Sequence, residues 1–172
     1  QLIFLYSLIA ALYVLTISLA SSIPSLGPTR FGILLAVSGV GLTFGAIVLA
    51  QIGNRFSRRH LCASGLGAIA LALVLLGEAK SSLTFTLILC GVLGIGSSLV
   101  AIPAQTTIQE DTPESKRGKV FGLQNNFINL ALSIPLVIAG TLISTYGLLP
   151  AIWFLASISL IAALLEQPWK RC

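Results

Sequence analysis

Six apolar runs, each near the length needed to cross a bilayer and each free of charge in its interior, constrain this chain more than any other feature. A hydrocarbon core of about 30 Å takes about 20 helical residues. The runs extend from about Leu2 to Ile23, Phe31 to Ile52, Leu61 to Gly77, Leu83 to Ile108, Val120 to Ile143 and Leu148 to Leu165. Only helices and closed barrels satisfy every backbone polar group in lipid. A barrel strand would alternate apolar and polar residues, and these runs are continuously apolar. The predicted fold class is an all-α membrane protein: one domain over residues 1–172, with six transmembrane helices.

Composition supports lipid as the surrounding medium. The chain is 56% hydrophobic and 9% charged, against roughly 25% charged in soluble domains. A soluble fold of 172 residues has too small an interior to bury so much apolar surface. The net charge of +5 does not point to nucleic acid. The basic residues sit in short loops between apolar runs, with no aromatic-interleaved basic stripe. Cys62, Cys90 and Cys172 form no C-x-x-C pair and read as small apolar filler, so neither a disulfide framework nor a metal or cofactor is expected. The chain opens at Gln1, contains no methionine, and has no charged segment before its first apolar run. It therefore reads as a fragment lacking an upstream part rather than as a chain with a signal peptide.

Loop charges divide between two sides. Arg55, Arg58, Arg59, Lys116, Arg117, Lys119, Lys170 and Arg171 fall on one side, and only Arg30 and Lys80 on the other. Basic residues accumulate in cytoplasmic loops, which puts the first side and both termini in the cytoplasm. Small residues recur inside the runs, as Gly41 with Gly45, Gly91 with Gly94 and Gly96, and Gly118 with Gly122. Such spacing lets helix backbones approach closely in lipid, at static contacts or at a sliding interface. Pro103 and Pro135 each remove a backbone donor within a predicted helix.

No ionisable group occupies the depth of a run, so a titrating carboxylate for proton coupling is not expected on these helices. Polar groups stand there instead. The fifth run carries Gln124, Asn125, Asn126 and Asn129. Asn129 is 11 residues beyond Gly118, or about 16 Å into the membrane, near the midplane. Asn125 and Asn129 share a helix face. Unsatisfied amides are costly in lipid, so these should turn to protein or to a water-filled cavity, for packing or for substrate contact. Tyr6, Tyr13 and Thr16 share a stripe of the first run, and Tyr13 lies too deep for an interfacial belt. Tyr13, Thr16, Asn125 and Asn129 are thus the candidates for lining a substrate cavity. The single histidine, His60, stands in a basic loop without a catalytic partner, and the glycines form no phosphate-binding loop. An enzyme is not expected.

Two stretches carry a family resemblance. Ala50-Gln-Ile-Gly-Asn54-Arg55-Phe-Ser57-Arg58-Arg59 resembles the G-x-x-x-D-R-x-G-R-R loop of the major facilitator superfamily. The three arginines match, and Ala50, Asn54 and Ser57 depart from it. The loop joins helices 2 and 3 in that family and recurs in degraded form between helices 8 and 9. Residues 103–122, from Pro103 to Gly122, resemble the connection between helices 10 and 11 in the branch of macrolide and siderophore exporters, with Lys119 in place of an arginine.

The resemblance implies helices 7 to 12 of a twelve-helix transporter, built as 3+3 inverted repeats and lacking its N-terminal six-helix half. It implies secondary active transport of a small-molecule solute, in the efflux direction, across a bacterial inner membrane. Helices 1 and 4 would line the cavity, helices 2 and 5 would face the missing half, and helices 3 and 6 would be peripheral. A cytoplasmic gate is expected from Asn54, Arg55, Arg58 and Arg59 together with Glu110, Asp111 and Glu114. Thr112-Pro113-Glu114 reads as a helix start. The alternative function is a non-transporting membrane subunit or scaffold whose polar residues serve packing.

Overall fold

The computed structural model describes residues 2–22, 31–78 and 82–166. Arg30, Lys80, Lys170 and Arg171, four of the ten charges behind the predicted orientation, fall outside the described residues. Six α-helices are present among the described residues: α1 (Leu2–Ser22), α2 (Phe31–Ile52), α3 (Arg58–Glu78), α4 (Leu83–Asp111), α5 (Arg117–Tyr146) and α6 (Leu148–Glu166). Five of them, α2 to α6, are long and apolar enough to cross a membrane, and within α1 the described apolar stretch is Ile3–Leu12.

Several helices run past the apolar segments. α3 begins at Arg58 rather than Leu61, α4 continues to Asp111, and α5 spans Arg117–Tyr146 rather than 120–143. Apolarity marks the depth of lipid, but the helical ladder continues into the headgroup region, where charged side chains are well solvated. At 29 residues, α4 is about 44 Å long, beyond the roughly 30 Å of hydrocarbon.

Local chemistry fixes the ends. A short 3-10 turn at Gly53–Arg55 closes α2, and Ser57 caps α3 by accepting the backbone N–H of His60 at 3.3 Å. Thr112 does not cap the following helix, as its sequence context suggested. It ends α4 in an extended conformation (φ −99°, ψ 117°), because Pro113 bars the residue before it from helical geometry. Its hydroxyl donates back to the Ile108 carbonyl at 2.6 Å. A 3-10 turn, Glu114–Lys116, then leads into α5. Gly147, at φ 90°, ends α5 with its N–H on the Ile143 carbonyl.

Side chains of all six helices meet in one core containing Leu5, Leu15, Leu34, Ile69, Val100, Ile152 and, from α5, Ala139. α2 packs along α4, α1 along α5, and α3 against both α4 and α6. Glycine makes the tightest of these approaches possible. A Cβ on Gly94 would strike the Ser38 carbonyl oxygen, and one on Gly41 would strike the Gly91 carbonyl oxygen, so α2 and α4 touch backbone to backbone. α3 meets α4 similarly, through Gly65 and Gly96. Half of the most apolar stretch of α3, expected to be peripheral, is buried, as much as for α4. Its exposure centres on residues such as Leu71 and Leu75.

The opposite holds for α2 and α5. Only 22% and 11% of their apolar stretches are buried. Val40, Phe44 and Ile47 on α2, and Leu123, Phe127, Leu130 and Ile134 on α5, are exposed. Beside them, Gly118 and Gly122 have open space where a side chain would go.

Candidate functional site

Two regions gather the polar side chains. The first is at the end of the bundle where α2 meets α3 and α4 meets α5. Arg58, in the first turn of α3, reaches α4. Its Nη2 lies 2.6 Å from Glu110 Oε2, and its Nη1 donates to Thr107 Oγ1 at 2.9 Å. Thr107 in turn donates to the carbonyl of Pro103, one turn earlier in α4. This bridge joins the two basic loops at one end of the bundle. It is half exposed on both sides, at 48% and 56%, so it contributes about 0–1 kcal/mol.

The other gate candidates are not drawn into it. Glu114 pairs weakly with Arg117 at 3.4 Å, three residues along its own turn. Arg55, Arg59 and Asp111 are exposed and form no ion pair among the described residues. The side chain of Asn54 lies outside the described residues. Of three arginines and three carboxylates, one pair, Arg58 with Glu110, spans two helices.

The second region is on α5. Asn125, Asn126 and Asn129 are all exposed on the helix with fewest neighbours, and none hydrogen-bonds to another helix among the described residues. The side chains of Tyr13 and Thr16 lie outside the described residues. The amide that does find a partner is Gln124. Its Nε2 donates to Gln105 Oε1 of α4 at 2.7 Å, while its own Oε1 is buried without a partner. An open groove of about 430 Å³ surrounds this pair, with Tyr6 of α1 and Asn125 on its wall. Of the two asparagines expected to line a substrate cavity, Asn125 lines this groove and Asn129 does not.

Sequence reasoning missed Gln105. The available signal was symmetry about the turn: Gln105 stands nine residues before Glu114, and Gln124 nine after Ser115. In an antiparallel helix pair, residues equidistant from the turn lie at the same height. A second crevice, of about 290 Å³ between α1, α5 and α6, has Ser7 as its one polar side chain and nothing to orient a polar solute. Among the described residues no three of His, Cys, Asp or Glu stand together as metal ligands would.

The sequence profile of the major facilitator superfamily matches residues 2–169. Two relatives are uncharacterised MFS-type transporters, one of Mycobacterium bovis and one of Mycobacterium tuberculosis. Each is 28% identical over 130 residues, 75% of this chain and 29% of the relative's length. The matched stretch is thus under a third of either relative. No solved structure matches. With a match over almost its full length and helices of membrane-spanning length and apolarity, the chain is an integral membrane protein and belongs to the major facilitator superfamily.

Proposed function

We propose that the chain is one six-helix half of a secondary active transporter that moves a small solute by alternating access. The observation that carries this reading is the bareness of α2 and α5. Both are apolar and of membrane-spanning length, yet 22% and 11% of their apolar stretches are buried. α5 adds to this a line of exposed asparagines. Amides at membrane depth facing lipid would be unsatisfied. A second half packed against α2 and α5 would cover the apolar residues and enclose the asparagines in a wet cavity. Part of the packing order fits 3+3 inverted repeats: α1 on α5 and α2 on α4 exchange when helices 1, 2 and 3 are swapped with 4, 5 and 6, whereas the α3–α4 contact has only a slight counterpart between α6 and α1.

The finer parts of the reading rest on the sequence. The stretch 103–122 supports the macrolide and siderophore exporter branch, and hence efflux. The clustered arginines support a cytoplasmic position for the end holding Arg58 and Glu110, with both termini on that side of a bacterial inner membrane. In the cavity, Tyr13, Thr16, Asn125 and Asn129 would contact solute. Arg58 and Glu110 would stiffen the cytoplasmic end. The test is reconstitution into liposomes. The full-length protein is expected to drive saturable solute movement, and residues 1–172 alone to drive none. Saturable transport by 1–172 would replace this reading with that of a self-contained small transporter.

A further inference from the structure

We infer that the groove between α1, α4 and α5 is a binding site for an uncharged solute carrying an amide or hydroxyl, and that Gln105 and Gln124 read that group. The inference rests on the transport reading for what the groove serves, but not for whether it binds.

Three observations carry it. The first is an unmet hydrogen-bonding capacity. Gln124 gives its Nε2–H to Gln105, and its Oε1 is buried with no partner. Buried polar atoms are nearly always paired, so an orphan on a residue that lines a groove is a group that a turn of the side chain would offer to an incoming partner. Rotating both amides by half a turn reverses the bond and leaves an orphan N–H on Gln124 instead. Either way one polar atom of Gln124 stays open, and an amide or hydroxyl, being both donor and acceptor, answers it.

The second observation is what else lines the groove. Asn125 adds a further carboxamide and Tyr6 a phenol, while Phe121 and Ile128 supply apolar walls. None of the lining residues carries a full charge. An ion seated here would find no counter-ion on the walls, so whatever water it shed would go uncompensated. The site therefore selects against charge while rewarding hydrogen bonds. Its volume, about 430 Å³, falls in the range of small-molecule clefts.

The third observation is depth. Gln105 is six residues from the end of α4 at Asp111, and Gln124 is seven into α5, so the pair lies about 9–11 Å inside the basic end. That is nearer the basic end than Asn129, twelve residues into α5. It suits a first contact for a solute entering from the side of the basic loops.

The probes are benzamide, benzoate and benzylammonium, three molecules of nearly one shape that are neutral, anionic and cationic. Binding to the full-length protein in lipid nanodiscs is measured by calorimetry. Benzamide is expected to bind saturably, at least tenfold tighter than either ion. Gln124→Leu is expected to weaken it tenfold or more. Gln124→Glu keeps the side chain's size and adds a negative charge, so it is expected to favour benzylammonium over benzamide, a reversal that loss of packing alone would not produce. Gln124→Met serves as the apolar variant if Gln124→Leu does not fold. The inference is overturned if benzamide does not bind, if the ions bind as well as it does, or if Gln124→Glu leaves the preference unchanged. Binding that behaves as expected in a protein that transports nothing would leave the groove standing and remove the transport reading. Transport indifferent to Gln124 would do the reverse.

Discussion

Adding one methyl group at Gly94 should separate two helices, whereas adding one at Gly122 should not. At Gly94 the new Cβ would fall on the Ser38 carbonyl oxygen and within 2.8 Å of the Leu42 nitrogen, both backbone atoms. Neither can rotate away as a side chain could, so α2 must shift from α4 and loosen the contacts around Leu93 and Cys90. Overpacking of this kind costs about 1–3 kcal/mol, and a clash with backbone belongs at the upper end of that range. Alanine also favours helix over glycine by about 1 kcal/mol, which offsets a part. The expected net destabilisation of Gly94→Ala is therefore about 1–2 kcal/mol. At Gly122 no atom lies within 4 Å of the added Cβ, so only the propensity gain applies and residues 1–172 should be unchanged or up to about 1 kcal/mol more stable. Both values can be read from reversible unfolding in mixed detergent and denaturant micelles, followed by helical circular dichroism. Equal effects at the two positions, or stabilisation by Gly94→Ala, would refute the backbone contact between α2 and α4.

Two further outcomes follow from the basic end of the bundle. A double-mutant cycle on Arg58→Ala and Glu110→Ala should give a coupling of at most about 1 kcal/mol, falling as salt is raised, because the pair is half exposed; coupling well above that would mean the bridge is enclosed in the membrane-embedded protein. Single cysteines at Ser57 and Ser115, in a background without Cys62, Cys90 and Cys172, should resist an impermeant maleimide added outside intact cells and react once the cells are opened. Labelling from outside would reverse the proposed orientation.

The helices themselves were legible because lipid imposes a length and an apolarity that soluble folds do not. Their ends were less so. The charges at Arg58, Arg59, Glu110 and Arg117 look like loop by hydropathy, yet they sit in helical turns that extend past the apolar segments. Thr112 carried two signals, a capping hydroxyl and a following proline, and the proline's steric demand decided its conformation. The close contacts were legible only in kind. Gly94 and Gly122 belong to similar small-residue patterns, and nothing in the spacing tells which meets a neighbour within this chain. The same limit applies to the ion pairs. Which of three arginines meets which of three carboxylates depends on the rotation of α3 against α4, whose backbones come close at Gly65 and Gly96. Gln105 was passed over because a lone glutamine near a helix end looks like solvated surface. It acquires meaning only from Gln124 at the same height across the turn.

The central claim, that the exposed amides of α5 face an alternately opened cavity rather than lipid, is tested most directly at Asn129. A single cysteine replaces it in the otherwise cysteine-free full-length protein, in sealed vesicles of known orientation. An impermeant maleimide is then applied to each side separately. Alternating access predicts reaction from both sides, because the midplane position is open to one compartment at a time and to each in turn. Reaction from neither side, with a membrane-permeant maleimide still reacting, would put Asn129 against lipid and contradict the account.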